Sequence, residues 1–289
     1  MYPAPFQYSA PTTIDEAISL LAELGDEGRV LAGGQSLLPM MKLRLAAPGH
    51  LVDINGIGGL SDVTANGHLE IGALVRHADV VDNPTVAAAS PLMAATAPWV
   101  ADPLVRNRGT VCGSIAHCDP EGDWNSVMLA LAAEVVAHGP EGERTIPIDD
   151  FVVDFFTNSL RAGEMVTAVR IPVADTRTGG SYLKLERKIG DYATVGVATH
   201  LRLGDDGKIA AAGIGLTSVA SKNLKATEAE RMLVGNDPSA EVFSEAGAAA
   251  AAAADPVSDV RGPAEYKRAV VRSYVERGLS MCMNQIREG

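Results

Sequence analysis

Two short segments built from glycine and hydroxyl-bearing residues are where this chain could do chemistry: Ala32-Gly33-Gly34-Gln35-Ser36 and Thr110-Val111-Cys112-Gly113-Ser114. Glycine carries no Cβ, so backbone N–H groups in such a segment can converge on an anion without obstruction. Gln35 and Ser36 add side-chain donors. Each segment alone also fits an ordinary tight turn. Together in one α+β unit they could clamp a diphosphate from both sides, supplying uncharged donors in place of its hydration. Neither contains GxGxxG or GxxxxGK[ST], so neither a dinucleotide Rossmann turn nor a Walker loop is supported.

Other reactive residues carry less. His117-Cys118-Asp119 lacks the spaced four-ligand set of a structural zinc site. Cys112 has no lysine or histidine beside it in sequence and reads as a packed, inert thiol. Lys184, Arg187, Lys188, Asp191 and Tyr192 form a polar cluster at a strand end, whose plain reading is a solvated turn. No nucleophile elbow is present, and Met40 and Met41 beside Leu37, Leu38 and Leu43 read as core.

The rest of the composition bounds the class. With 289 residues, 47% hydrophobic and 21% charged, the chain is long and apolar enough for a sizeable folded core. Its 24 Lys+Arg against 36 Asp+Glu give a formal charge of −12, which repels phosphate backbones and argues against nucleic acid as a partner. The 3 cysteines are fewer than an all-cysteine iron–sulfur cluster requires. No signal-peptide pattern opens the sequence and no run of about 18 apolar residues occurs, so the expected address is cytoplasmic, without a transmembrane segment.

The elements that must position the two segments follow from periodicity. Thr13 and Glu16 form a capping-box pattern ahead of a helix through Ile14, Ala17, Ile18, Leu21 and Leu24. Strands are expected at 29–32, 51–54, 69–73, 134–137, 144–148 and 165–171, and a helical region near Pro84–Ala97. A helix N-capped by Asp123 is expected to run to Ala133. The polar stretch 174–180 suits a boundary. Beyond it, three antiparallel strands at 181–185, 194–203 and 209–216 precede helices at 227–233, from Asp237-Pro238 to Ala254, and from 264 to 286.

Four ordered motifs carry a family resemblance: AGGQSLLPMMKLR at 32–44, GTVCGSIAHCDPEGDW at 109–124, KLERKIGDYATVGVA at 184–198 and DVRGPAEYKR at 259–268. The chain resembles the flavin-binding subunit of the molybdenum hydroxylase (xanthine dehydrogenase) family, most of all its carbon monoxide dehydrogenase branch. The resemblance implies an α+β fold: an FAD-binding domain of the vanillyl-alcohol-oxidase type at 1–175, in subdomains of about 1–55 and 56–175. A three-stranded antiparallel sheet with a helical bundle would follow at 178–289. It also implies that Ala32, Gly33, Gly34, Gln35 and Ser36, continued by Leu37 and Leu38, and Thr110, Val111, Cys112, Gly113 and Ser114 hold the FAD diphosphate. Asp123 would meet the ribityl or ribose hydroxyls, Val166 and Val100 would bracket the adenine, and Lys184 and Tyr192 would approach the isoalloxazine. No residue is assigned as catalytic and no metal is expected in this chain. Gln35 stands where the carbon monoxide branch has histidine. Cys112 replaces the usual first glycine of TxGG and adds a Cβ and a thiol beside a close backbone approach.

The same resemblance implies partners: a large subunit with a molybdenum–pterin cofactor and a small subunit with two [2Fe-2S] clusters, as a dimer of heterotrimers. Electrons would reach FAD here and leave to an external acceptor, with a quinone at the inner face of a membrane one candidate. A free-standing flavin oxidase and a non-redox nucleotide-binding protein are the competing classes, and within the family an aldehyde or N-heterocycle dehydrogenase is the alternative. On this reading Asp123→Ala is expected to weaken FAD binding with the fold intact.

Overall fold

The computed structural model describes residues 2–288. The chain first builds β1 (Gln7–Ser9), α1 (Ile14–Leu24), β2 (Gly28–Leu31), α2 (Leu37–Lys42) and β3 (His50–Asp53). The strands form a parallel sheet in the order β1-β3-β2. Thr13 caps α1 by accepting from Glu16 N, as the pattern predicts, but the Glu16 carboxylate closes on Thr12 N at 2.8 Å rather than on the cap residue. Ala17, Ile18 and Leu21 give α1 its buried face.

The second unit runs through β4 (Val63–Ala65), β5 (His68–Gly72), α3 (His77–Val80), α4 (Pro84–Ala89), α5 (Pro91–Thr96), α6 (Pro103–Arg106), α7 (Val111–His117) and α8 (Asp123–Ala130). It continues through β6 (Glu134–Gly139), β7 (Gly142–Pro147), α9 (Ile148–Phe151), β8 (Val152–Asp154), β9 (Thr157–Asn158) and β10 (Met165–Pro172). Its antiparallel sheet has the order β4-β5-β10-β6-β7, so β10, formed last, fills the centre. The helical region expected near 84–97 is present, divided into α4 and α5. Proline disfavours helical geometry in the residue before it, and Ser90, extended at φ −152°, ends α4 and caps α5. The segment read as a second loop is helical from Val111 onward.

The third unit contains β11 (Thr178–Leu185), β12 (Val195–Leu203), β13 (Ile209–Thr217) and β14 (Leu224–Lys225), then α10 (Thr227–Leu233), α11 (Ala240–Ala253) and α12 (Ala264–Glu288). The three expected antiparallel strands are joined by a two-residue fourth at the edge. Helix α11 starts after Pro238, with Ser239 as its cap. Its alanine run brings it close to α12, where Gly247 leaves only 2.9 Å between a would-be Cβ and Arg272 O.

Helix α8 ties the second and third units together. All eight of its residues are buried. A Cβ on Gly213 or Gly215 of β13 would overlap the Ala130 or Ser126 carbonyl oxygens of α8. Those two glycines let the helix backbone lie on the strand, and that contact carries the first residue of α8, Asp123, to the face of β11.

Candidate functional site

The loop Ala32–Ser36 leaves β2 and enters α2. Gly34 has φ +72°, a left-handed turn over the side chains of Leu31 and Leu38. A Cβ on Gly33 would overlap Arg108 O and lie 2.7 Å from Gly109 Cα, so this glycine is required by the contact between the two segments. Sequence reasoning gave it only a ligand-facing role. Among the described residues the N–H groups of Gly33, Gly34, Gln35 and Ser36 enter no backbone hydrogen bond. Four consecutive unspent donors around a left-handed turn form an anion-binding concavity.

The second segment is more committed. Thr110 caps α7 by accepting from Gly113 N at 3.1 Å, and Val111 N donates to Val75 O. Val111 and Cys112 turn their side chains into the core, with Cys112 Sγ 3.4 Å from Ile71 O. Burial, and then the charge of Glu70, pushes this thiol up to about 12. The Cβ and thiol at the usual glycine position therefore point inward and do not intrude between the segments. Of this segment, Cys112 N enters no backbone hydrogen bond outside the helix among the described residues, while the Thr110 hydroxyl is buried on Gly113 N.

Asp123 does not cap α8; Gly122 occupies that position. Both carboxylate oxygens are engaged from β11: Tyr182 donates to Oδ1 at 2.6 Å and Lys184 Nζ to Oδ2 at 3.1 Å. Lys184 also donates to Trp99 O at 3.0 Å, and its side chain is only 1% exposed, so it is no part of a solvated turn. Glu186 Oε2 lies 3.8 Å from the same ammonium, buried and without a hydrogen-bond donor. Burial raises the Asp123 pKa, opposed by the Lys184 charge and the Tyr182 hydrogen bond. Burial, then the Asp123 charge, raises that of Tyr182. Tyr182 and Glu186 were missed in the sequence. Their signal is the period-2 spacing 182, 184, 186, which places all three on one face of an extended strand.

Tyr192 stands apart on the loop after β11, half exposed. Burial, then the charge of Asp119, takes its pKa to about 12. Gly190 packs over Ala101 and Asp102, laying this loop beside Val100. Val100 and Val166 are both nearly closed within the core, and Leu37 and Leu38 are half-buried. His77, also unanticipated, backs the second segment. Its backbone N donates to Gly109 O, its ring fills the space a Gly109 Cβ would take, and its Nδ1 accepts from Trp124 Nε1 at 3.0 Å.

The donor set thus suits a diphosphate held where the two segments meet, with a buried polar cluster at the α8–β11 junction to one side. Residues 4–174 match the model of the FAD binding domain in molybdopterin dehydrogenase, and residues 180–282 that of the CO dehydrogenase flavoprotein C-terminal domain. The chain belongs to the FAD-binding family of molybdopterin dehydrogenases. It is 41% identical to the carbon monoxide dehydrogenase medium chain of Hydrogenophaga pseudoflava, covering 97% of this chain and 98% of that one. It is 36% identical to the 6-hydroxypseudooxynicotine dehydrogenase complex subunit alpha of Paenarthrobacter nicotinovorans, covering 99% and 97%. A solved structure of the Hydrogenophaga enzyme, in a form lacking the Mo-pyranopterin moiety of its molybdenum cofactor, superposes with a TM-score of 0.95 over 99% of both chains at 41% identity.

As a member of this family the chain is a medium, FAD-binding subunit of a carbon monoxide dehydrogenase-like oxidoreductase, with the α+β fold the resemblance implied. Its three cysteines are free, separate and buried. No group of three or more His, Cys, Asp or Glu among the described residues could hold a metal ion. None of the described helices is long and apolar enough to cross a membrane.

Proposed function

We propose that this chain holds the FAD through which a heterotrimeric molybdenum hydroxylase of the carbon monoxide dehydrogenase type discharges its electrons. FAD supplies the ability to accept electrons from iron–sulfur centres and pass them to a different acceptor. The chain's own residues bind and orient it. The N–H groups of Gly33 to Ser36, with the side chains of Gln35 and Ser36, Thr110, Cys112 N and Ser114, receive the diphosphate, and Gly113, its N–H held by Thr110, completes the turn between them. Leu37 and Leu38 continue the first loop beside the ligand, with Val111 behind the second. Asp123, already oriented by Tyr182 and Lys184, meets a hydroxyl of the ribityl or ribose part. Val166 and Val100 flank the adenine, and Lys184 and Tyr192 stand at the isoalloxazine end.

The observation that carries this reading is the row of unspent N–H donors packed against the second segment, within a chain that matches FAD-binding subunits over nearly its whole length. A large molybdenum–pterin subunit would carry the substrate chemistry and a small subunit the two [2Fe-2S] clusters, in a dimer of heterotrimers. The outgoing acceptor would be external, a quinone among the candidates, in a cytoplasmic complex that can lie at the inner face of the membrane. The units 1–55, 56–175 and 178–289 would serve as the two halves of the FAD-binding domain and the flavoprotein C-terminal domain.

Native purification of the tagged chain from its host, with absorbance spectroscopy and mass spectrometry, tests the assignment. FAD, molybdopterin and two further subunits should copurify. A chain recovered alone, with a flavin that a small molecule reduces directly, would establish a free-standing oxidase instead.

A further inference from the structure

The two segments are joined by more than contact. Asn55 Nδ2 donates to Ala32 O at 2.9 Å, Arg76 Nη2 donates to Asn55 Oδ1 at 2.5 Å, and Arg76 Nη1 donates to Arg108 O at 2.6 Å. This chain of hydrogen bonds runs from the first residue of one segment to Arg108, two residues before the other begins. Both links are themselves held. Asp53 Oδ1 accepts from Asn55 N and Nδ2, and Asp53 Oδ2 accepts from the Tyr8 hydroxyl. The Arg76 backbone pairs with Thr110 in an isolated bridge, and its N–H donates to Asp79. Arg76 is thus fixed to the second segment by its main chain and reaches the first by its side chain.

We propose that Asn55 and Arg76 form a strap that sets the spacing of the two segments and so determines the affinity for the diphosphate of FAD. They are positioning residues, and the proposal rests on the reading of the segments as the diphosphate cradle. Without the strap the segments must be ordered by the ligand, and that ordering subtracts from binding. The planar guanidinium is necessary because it addresses two acceptors at once. Lysine keeps the charge but offers its three donors from one nitrogen, without the planar fork that spans the two acceptors.

The full-length apo chain is titrated with FAD, and separately with ADP, which carries the diphosphate without the flavin. The variants are Asn55→Ala, Arg76→Lys and the double variant, each with a melting curve of the apo protein. Each single variant should weaken both ligands by about three- to tenfold, the worth of one or two partly exposed hydrogen bonds. The double variant should be no weaker than the worse single one, because either change cuts the same strap. Additive losses, or wild-type affinity in Arg76→Lys, would overturn the strap. The second result, paired with a salt-dependent loss in Arg76→Ala, would make Arg76 a charge on the phosphate instead. The wild-type titration distinguishes the cradle from the strap. If the wild-type apo chain binds neither FAD nor ADP, the cradle reading itself falls. If it binds both and the strap variants bind them equally well, only the strap falls.

Discussion

Tyr182 donates a 2.6 Å hydrogen bond to Asp123, a strand of the third unit reaching the first residue of a helix in the second. Lys184, two residues on and on the same strand face, completes the carboxylate's shell at 3.1 Å. The junction between units is therefore a buried, charged hydrogen-bond cluster, and two of its members, Asp123 and Lys184, belong to the proposed FAD site.

Truncating one partner of such a pair strands the other. Lys184→Met should cost about 3–5 kcal/mol of stability, the typical penalty for a buried charge left uncompensated. Asp123→Ala should destabilise the chain as well as weaken FAD binding, unlike the intact fold expected from sequence alone. Urea unfolding of the two single variants and of the double variant measures this. A double variant more stable than either single would establish the coupling, whereas strictly additive losses would contradict it.

Gly215→Ala places a methyl group on the Ser126 carbonyl and forces α8 away from β13. A loss of about 1–3 kcal/mol is expected for such overpacking. Because α8 carries Asp123, FAD affinity should fall with it. A melting temperature equal to that of the wild type would show that the backbone contact is looser than the structure has it.

Burial first, then the charges of Arg106 and Arg76, holds His77 neutral down to about pH 4, against an ordinary value of 6.5. Between those values the unfolded chain binds a proton that the folded chain does not, so stability is full above pH 6.5 and falls as the pH drops towards 4. His200 behaves likewise. His77→Gln removes its share, so its melting temperature should fall less between pH 7.5 and 5 than that of the wild type. Equal falls would rule out a role for His77 in the acid sensitivity.

All three thiols are pushed to about 12, chiefly by burial. At pH 8 roughly one in ten thousand molecules carries a thiolate at a given site. The native chain should be inert to an aromatic disulfide reagent over an hour and release three equivalents once unfolded. Rapid native labelling of Cys112 would place it on the ligand side of its helix.

The sequence by itself determined the local elements and the family. Period-2 runs marked the main strands, and Thr13 with Glu16 marked the first helix. The glycine segments, quoted with their neighbours, were specific enough to name the family, because a strand, a turn and a cap each depend on residues close in the chain. What the tertiary structure decided was partnership at long range. That Gly33 must be glycine because Arg108 lies against it is a relationship across the fold. So is the burial of Lys184 on Asp123, which overturned a solvated-turn reading that its charged neighbours favoured. Cys112 is packed as its sequence neighbours implied, and the reason is tertiary: α7 begins one residue earlier and turns that side of the helix to the core. Asn55 and Arg76 carry no local signal at all. Their function comes from two acceptors, Ala32 O and Arg108 O, that only the packed fold brings within reach of one side-chain chain of hydrogen bonds.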